Sequence, residues 1–240
     1  MKAGDDAPGE TGCDVRLHPV VERSTLDPRL NLEREARYMK MVEAPSFRAW
    51  LSTDSVVLGR FLEPEDEVHL ELAAELGVPV LRRPSGGGAV FHDLGNINYS
   101  IYFPRGRVPG FGVEESLRAL SFPVTDLLDS LGVPWSWEPP NNIYVLGRKI
   151  SGAAQWRSGK RLLHHGTLLI NTDLEKMGQL LKPGGRSRVA PVVNLSEIVK
   201  SIMVEDAVVM MSEALGKRVK GPLHKGAAPG HTDALEISRC

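Results

Sequence analysis

Residues 142–170 read NIYVLGRKISGAAQWRSGKRLLHHGTLLI, and the way these residues alternate decides the fold class. Short β-type runs are separated by two turn signals, Leu146-Gly147-Arg148 and Arg157-Ser158-Gly159-Lys160, each with the composition of a hairpin turn. A meander of about three strands is expected. Upstream, Ile97, Tyr99, Ile101 and Phe103 alternate with Asn98, Ser100 and Tyr102, which predicts a further strand with one apolar and one polar face. Phe47 to Arg60 is β-rich with a break at Ser52-Thr53-Asp54, and Val78 to Arg83 reads as a short strand.

Helical spacing lies between and around these strands. Asp27-Pro28 offers an N-cap and a first-turn proline ahead of Leu32, Ala36, Met39 and Val42. Pro64 to Leu76 reads as helix and stops at Gly77. Leu117, Leu120, Val124, Leu127, Leu128 and Leu131 mark another, interrupted near Pro123 and ending at Gly132. Asp173 caps a short helix carrying Leu174, Met177, Leu180 and Leu181, and Val204, Val208, Met211 and Leu215 mark the last, ending at Gly216. Helices interspersed with hairpins predict an α+β (α/β) fold with a mixed, largely antiparallel central sheet flanked by helices, in contrast to strict βαβ alternation.

The 240 residues are 42% hydrophobic and 25% charged, which fits one domain over residues 15–220. The termini, 1–14 and 221–240, lack hydrophobic periodicity and read as loosely ordered tails with no accessory domain. A net charge of −1 supplies no global field for nucleic acid or an anionic membrane, so any anion site must be local. Cys13 and Cys240 stand at opposite ends without metal or redox spacing, which argues for a reducing, cytoplasmic setting. No apolar run approaches the ~20 residues of a membrane span, and the acidic start is unlike a signal peptide.

Three segments could carry chemistry. In Arg82-Arg83-Pro84-Ser85-Gly86-Gly87-Gly88-Ala89-Val90-Phe91-His92-Asp93, three glycines make either a flexible turn or a backbone cradle for anionic oxygens, and the two arginines beside them favour the cradle. The run is neither a P-loop nor GxGxxG opening a helix. Lys149, at the exit of a turn and followed by small residues, either is solvated or reaches a ligand lying across the sheet. His164 and His165 point to opposite faces of one strand, so one is expected buried and the other exposed, and they cannot ligate a metal together. Arg186 to Leu195 is a basic loop behind Pro183-Gly184-Gly185, as in a mobile flap. Trp50 either packs in the core or lines a pocket.

Taken in order, LNLEREARYM (30–39), FRAWLSTDSVVLGR (47–60), RRPSGGGAVFHDLGNINYS (82–100), NNIYVLGRKISGAAQ (141–155), HHGTLLINTD (164–173) and RSRVAPVVNLSE (186–197) resemble the lipoate-protein ligase family. The resemblance implies a sheet of the class II aminoacyl-tRNA synthetase and biotin ligase type. It implies a two-step reaction in which lipoate and Mg-ATP give lipoyl-AMP and pyrophosphate, and the lipoyl group passes to a lysine of an acceptor lipoyl domain. That acceptor would be a 2-oxoacid dehydrogenase acyltransferase subunit or the glycine cleavage H protein. On the family pattern Lys149 contacts the carboxyl and phosphate oxygens and is the catalytic candidate. Arg82 and the loop Gly86, Gly87 and Gly88 would hold the acyl and adenylate groups, with Ser85 and His92 lining the site, and Trp50, Val90 and Ile150 would border the acyl slot. Asn142, Ser151, Gly152, Ala153, His165, Gly166 and Thr167 complete the expected binding set, with Arg188 on the closing loop.

The chain departs from that pattern at Asn141-Asn142, where the ligases commonly have Asn-Asp, and so lacks a carboxylate that would help hold Mg²⁺. Related ATP-independent octanoyl or lipoyl transferases use a cysteine near that position, and this chain has none there. The resemblance therefore favours the ligase, as the large subunit of a bipartite enzyme or one needing no accessory domain. The alternatives are an ATP-independent transferase and a non-catalytic binder of lipoate or lipoyl-AMP. A biotin ligase is disfavoured because a Gly-Arg-Gly-Arg loop is missing.

Overall fold

The computed structural model describes residues 13–20, 25–105, 112–183, 190–216 and 218–221. The elements in chain order are β1 (Cys13–Arg16), β2 (His18–Pro19), α1 (Pro28–Met41), β3 (Ser46–Trp50), β4 (Ser55–Leu58), α2 (Pro64–Glu67) and α3 (Leu70–Glu75). They continue with β5 (Val80–Arg82), β6 (Val90–His92), β7 (Asn96–Phe103), α4 (Val113–Ala119), α5 (Phe122–Ser130), β8 (Ser136–Glu138), β9 (Asn142–Val145) and β10 (Arg148–Ser158). The last are β11 (Arg161–Leu169), α6 (Leu174–Leu180), α7 (Leu195–Ile198), α8 (Val204–Leu215) and β12 (Arg218–Gly221).

The expected meander is β9-β10-β11, antiparallel throughout. It sits in a seven-stranded sheet of order β2-β3-β7-β11-β10-β9-β8, antiparallel except for the β2–β3 pair. A second sheet, β5-β4-β6, combines one parallel and one antiparallel pair, and β1 pairs with β12. Mixed, largely antiparallel sheets flanked by helices are therefore what the chain forms.

The odd residues of β7, Ile97 to Phe103, join Leu120, Val124, Leu127 and Leu128 around α5 and Ala207, Met211 and Leu215 of α8 in the main core. A smaller core under the second sheet gathers Val56, Leu58, Phe91, Val68 and Ala73 with Met177 and Leu180 of α6. The expected interruption near Pro123 is present at Leu120–Ser121, between α4 and α5 and just before the proline. Pro123 itself occupies the first turn of α5, where a missing N–H is harmless. The expected helix at 64–76 is split at Val68, which forms a bridge to Leu181.

Asp27 caps α1 as predicted, its Oδ1 accepting from the amides of Arg29 at 2.8 Å and Leu30 at 3.0 Å. The buried stripe is not the predicted apolar one. Pro28, Asn31, Glu35 and Met39 face inward, while Leu32, Ala36 and Val42 are half-buried. The reason lies across the interface. The polar face of β7, which is buried rather than exposed, meets α1, and polar residues on the two elements complete one another. Ser100 donates to Glu35 Oε1 at 2.6 Å, and Arg48 of β3 donates to Asn31 Oδ1.

Candidate active site

Between α1, the second sheet and the polar face of the first lies a cleft enclosing about 600 Å³ of space, part of it open to solvent. Its floor is built from cross-strand rungs. Trp50, Asn98, Thr167, Gly152 and Asn142 are successive partners on β3, β7, β11, β10 and β9. The neighbouring rung places Arg48, Ser100, His165 and Ala154 side by side.

Lys149 reaches this floor because β10 is bulged. Lys149 pairs with Tyr144 and Ser151 with Ile143, so one extra residue lies between the pairs. The insertion turns Lys149 onto the face of Gly152, from which simple alternation would exclude it. Gly152 supplies the room: a Cβ there would lie 2.9 Å from Lys149 Nζ and 3.0 Å from its Cε. The backbone of Lys149 is held by residues 191–193, with its amide donating to Pro191 O at 2.7 Å and its carbonyl accepting from Val193 N at 3.0 Å. Burial, with the charge of Arg83 adding to it, holds the Lys149 ammonium below the usual lysine range. Among the described residues its Nζ has no carboxylate partner.

Arg83 is the hub of the glycine loop. Its Nη2 donates to the carbonyls of Gly86 and Gly88, both at 2.8 Å, its Nη1 to Val57 O at 3.0 Å and its Nε to Ser85 Oγ at 2.9 Å. Gly87 takes φ of +89°, which a side chain would strain. The loop also packs against Gly59, where a Cβ would meet Gly87 O at 2.0 Å. Burial pushes the Arg83 guanidinium down to about 10, against the opposing pull of Glu35.

A buried relay ties the loop to α1. Glu35 Oε2 and His165 Nδ1 lie 2.9 Å apart, and His165 Nε2 is 2.6 Å from Ser85 Oγ. Ser85 Oγ, which accepts from Arg83, thus lies against one ring nitrogen of His165 while the other faces Glu35. Burial alone would raise the Glu35 carboxyl, but the charge and hydrogen bond of His165, the Ser100 hydroxyl and Arg48 together hold it below the usual carboxylate range. The order acid, imidazole, hydroxyl resembles a hydrolase triad. Ser85, however, is 1% exposed, stands outside the cleft wall and is occupied by Arg83, so this relay positions the arginine and does not present Ser85 as a nucleophile.

Of the residues expected at the site, Lys149, Trp50, Gly87, Gly88, Val90, His92, Gly152, Ala153, His165, Gly166 and Thr167 meet in the cleft wall. Trp50 donates to Ser100 Oγ at 3.1 Å and stands edge-on to His92, with the Arg48 guanidinium 5.0 Å from its ring centre. Burial and the Arg83 charge push His92 down to about 3, so it is neutral. Arg82 points the other way. Its Nη1 donates to the carbonyls of Gly59, Arg60 and Leu62 and closes the turn after β4, because successive residues of an extended segment face opposite sides. Ile150 and Ser151 are buried on the far side of the bulge, Ser85 and Gly86 lie behind the wall, and Asn142 stands beside Lys149 at its edge. Arg186 and Arg188 lie outside the described residues, as do residues 1–12 and 222–240 of the expected tails.

The histidine pair is corrected in part. The two do face opposite sides, but both are buried, because α1 and the glycine loop cover one face and α4 and α5 the other. His164 lies 3.2 Å from Tyr99 Oη and 3.3 Å from Gln155 Nε2. Sequence reasoning missed Arg83 as the cleft arginine, along with Glu35, Asn98 and Asn141. A signal existed for Glu35 and Asn98. Asn31 and Glu35 share one helix face four residues apart, and Asn98 belongs to the polar face of β7.

The family model for the lipoyl protein ligase A/B catalytic domain matches residues 27–216, the span that builds the cleft and the two larger sheets apart from β2. The chain belongs to this family. Among curated relatives, the lipoate-protein ligase A of Psychrobacter cryohalolentis is 30% identical over 204 residues, which are 79% of this chain and 58% of that protein. This ligase-family chain spans between 38% and 58% of the length of the curated relatives it matches. A bi-partite lipoate protein ligase from Thermoplasma acidophilum, solved in a study with its E2 lipoyl domain, superposes with a TM-score of 0.71 at 25% identity, covering 84% of each chain. A T. acidophilum structure with bound lipoic acid gives the same TM-score and identity over 83% of this chain and 85% of that one. A lipoate-protein ligase A bound with ATP gives 0.70 at 25% identity, with the same coverage.

Proposed function

We propose that this protein is the catalytic part of an ATP-dependent lipoate-protein ligase. The observation that carries the reading is a pair of cations, buried Arg83 and half-buried Lys149, in one cleft wall whose single carboxylate among the described residues, Glu35, is already engaged by His165 and Ser100. Such a cleft attracts a ligand that brings its own negative charge. Activation of an acid by ATP brings two, the carboxylate and the α-phosphate, and positioned cations lower the repulsion between them. The carboxylate oxygen forms a bond to the α-phosphorus while the bond to pyrophosphate breaks. In the second step the amine of an acceptor lysine attacks the acyl carbonyl, AMP leaves and the amine loses a proton to solvent.

Relatives solved with lipoic acid and with ATP support both substrates. Mg²⁺ enters with the nucleotide, since among the described residues no three His, Cys, Asp or Glu side chains cluster into a cation site. The acceptor is a lipoyl domain, of a 2-oxoacid dehydrogenase acyltransferase subunit or an H protein, and the bi-partite relative supports a separate accessory subunit. We place the reaction in the cytoplasm, the setting that the cysteine usage favours; no described helix is long and apolar enough to cross a membrane. The nucleotide sits with Lys149 and Asn142, and the acyl chain with Trp50, Val90, His92 and His165.

The test is the intact mass of an apo lipoyl domain after incubation with this protein, lipoate and Mg-ATP. An ATP-dependent gain of one lipoyl group, lost in Lys149→Ala, is the expected result, because removing a positioned charged donor costs about 10²-fold or more in rate. Undiminished transfer by Lys149→Ala removes the lysine from the mechanism. Transfer from octanoyl carrier protein without ATP replaces the ligase reading with the transferase one.

A further inference from the structure

The floor of the cleft holds a polar group whose pairing is incomplete. Asn98 is 2% exposed, lies between Trp50 and Thr167 on its rung and lines the cleft, yet its side-chain amide nitrogen has no hydrogen-bond partner. Buried donors are almost always satisfied, and an unpaired one on a residue that lines a cavity marks a contact that a ligand completes.

The rung says which part of a ligand arrives there. Gly152, over which Lys149 Nζ lies, is two strands from Asn98, roughly 10 Å at the usual interstrand spacing of about 4.8 Å. The same wall carries apolar side chains, Trp50 beside Asn98 on the rung together with Leu32, Val57 and Val90. An eight-carbon acid with its carboxylate at Lys149 runs along Thr167 and brings its far end over Asn98. Octanoate and lipoate differ at that end. Octanoate finishes in hydrocarbon, whereas lipoate finishes in a dithiolane ring whose sulfurs are weak hydrogen-bond acceptors.

Resting on the ligase reading above, we propose that Asn98 biases the cleft toward the sulfur-bearing acyl chain. Its amide hydrogens meet an acceptor in the dithiolane. Octanoate covers and dehydrates the same group without offering one. A site that leaves its own polar group unpaired against the wrong substrate discriminates more strongly than an apolar pocket.

A competition reads this directly. Equimolar lipoate and octanoate are given with Mg-ATP and an apo lipoyl domain, and the ratio of lipoyl to octanoyl product, measured by intact mass, equals the ratio of kcat/KM values whatever fraction of the enzyme is active. Asn98→Leu is expected to lower that ratio about tenfold, chiefly by improved use of octanoate. Asn98→Ser, which keeps a donor, is expected to stay nearer the wild type than Asn98→Ala. A ratio for Asn98→Leu within about twofold of wild type overturns the proposal. If Asn98→Leu does not fold, equal ratios for the serine and alanine variants overturn it instead. A wild-type protein that attaches neither acid refutes the ligase reading, and calorimetric affinities of the two free acids for wild type and the same variants then decide the role of Asn98 separately.

Discussion

Replacing Gly152 by alanine separates the position of Lys149 from the stability of the fold. The added Cβ lies 2.9 Å from Lys149 Nζ, 3.0 Å from its Cε and 3.3 Å from Asn142 Oδ1. Non-bonded contacts settle near 3.5–4.0 Å, so the ammonium retreats by roughly 0.5–1 Å. A misplacement of about 1 Å in a reacting constellation costs on the order of 10²-fold in rate, or about 2.7 kcal/mol of barrier. Stability changes little, because the atoms met first are the end of a flexible side chain and Gly152 has no left-handed φ to protect. The predicted result is a kcat/KM for acceptor lipoylation lowered about a hundredfold with a melting temperature within about 2 °C of wild type. Near-wild-type kcat/KM refutes the argument that this glycine seats the lysine. A melting temperature lowered by more than about 5 °C refutes the claim that the clash is confined to the lysine head.

Gly166→Ala supplies the contrast: its Cβ would come within 2.7 Å of Tyr99 Oη and 2.8 Å of the ring, and Tyr99 is fully buried and hydrogen-bonded to His164. That overpacking predicts a loss of about 1–3 kcal/mol, seen as a lower midpoint in urea. Glu35→Leu leaves the His165 and Ser100 donors unmet and Arg83 buried without its carboxylate, so we expect a loss of about 3–5 kcal/mol and a melting temperature roughly 10 °C lower, partly recovered in Glu35→Gln. An unchanged melting temperature in Glu35→Leu removes the relay from the stability of the fold. Burial first, then the charges of His165 and Arg157, push His164 down to about 3. Between an unfolded value of about 6.5 and that folded value, only the unfolded chain binds this proton, so its contribution is complete above about pH 6.5 and falls by about 1.4 kcal/mol per unit on acidification. Denaturant unfolding of His164→Gln from pH 6 to pH 4 is expected to show a slope shallower by about one proton. An unchanged slope places the titration elsewhere.

Most of the architecture was legible because it rests on local chemistry. The Asp27 cap, the positive-φ turn residues Gly147 and Gly159 and the alternation along β7 each carry their own signal. What alternation does not reveal is whether a polar face meets water or another polar face. Asn31, Glu35, Arg48 and Ser100 are polar residues with no local sign of burial, and they are buried because segments far apart in sequence satisfy one another. The glycine run and Lys149 were legible as anion-binding candidates, but side assignments around them failed where backbone geometry intervenes. A bulge turned Ile150 and Ser151 away, and the end of β5 sent Arg82 outward and Arg83 inward.

Three consecutive glycines ordinarily make a segment floppy, and a floppy loop must be frozen each time it grips a ligand. Here the freezing is finished during folding. The planar guanidinium of Arg83 gathers the carbonyls of Gly86 and Gly88, the Ser85 hydroxyl and the Val57 carbonyl, like spokes on a hub. The loop keeps the close backbone approach that glycine permits and loses the disorder that usually accompanies it. Its entropy is already spent when a substrate arrives, so affinity at this end of the cleft depends on a buried side chain that itself answers to a helix on the opposite wall, through Ser85, His165 and Glu35.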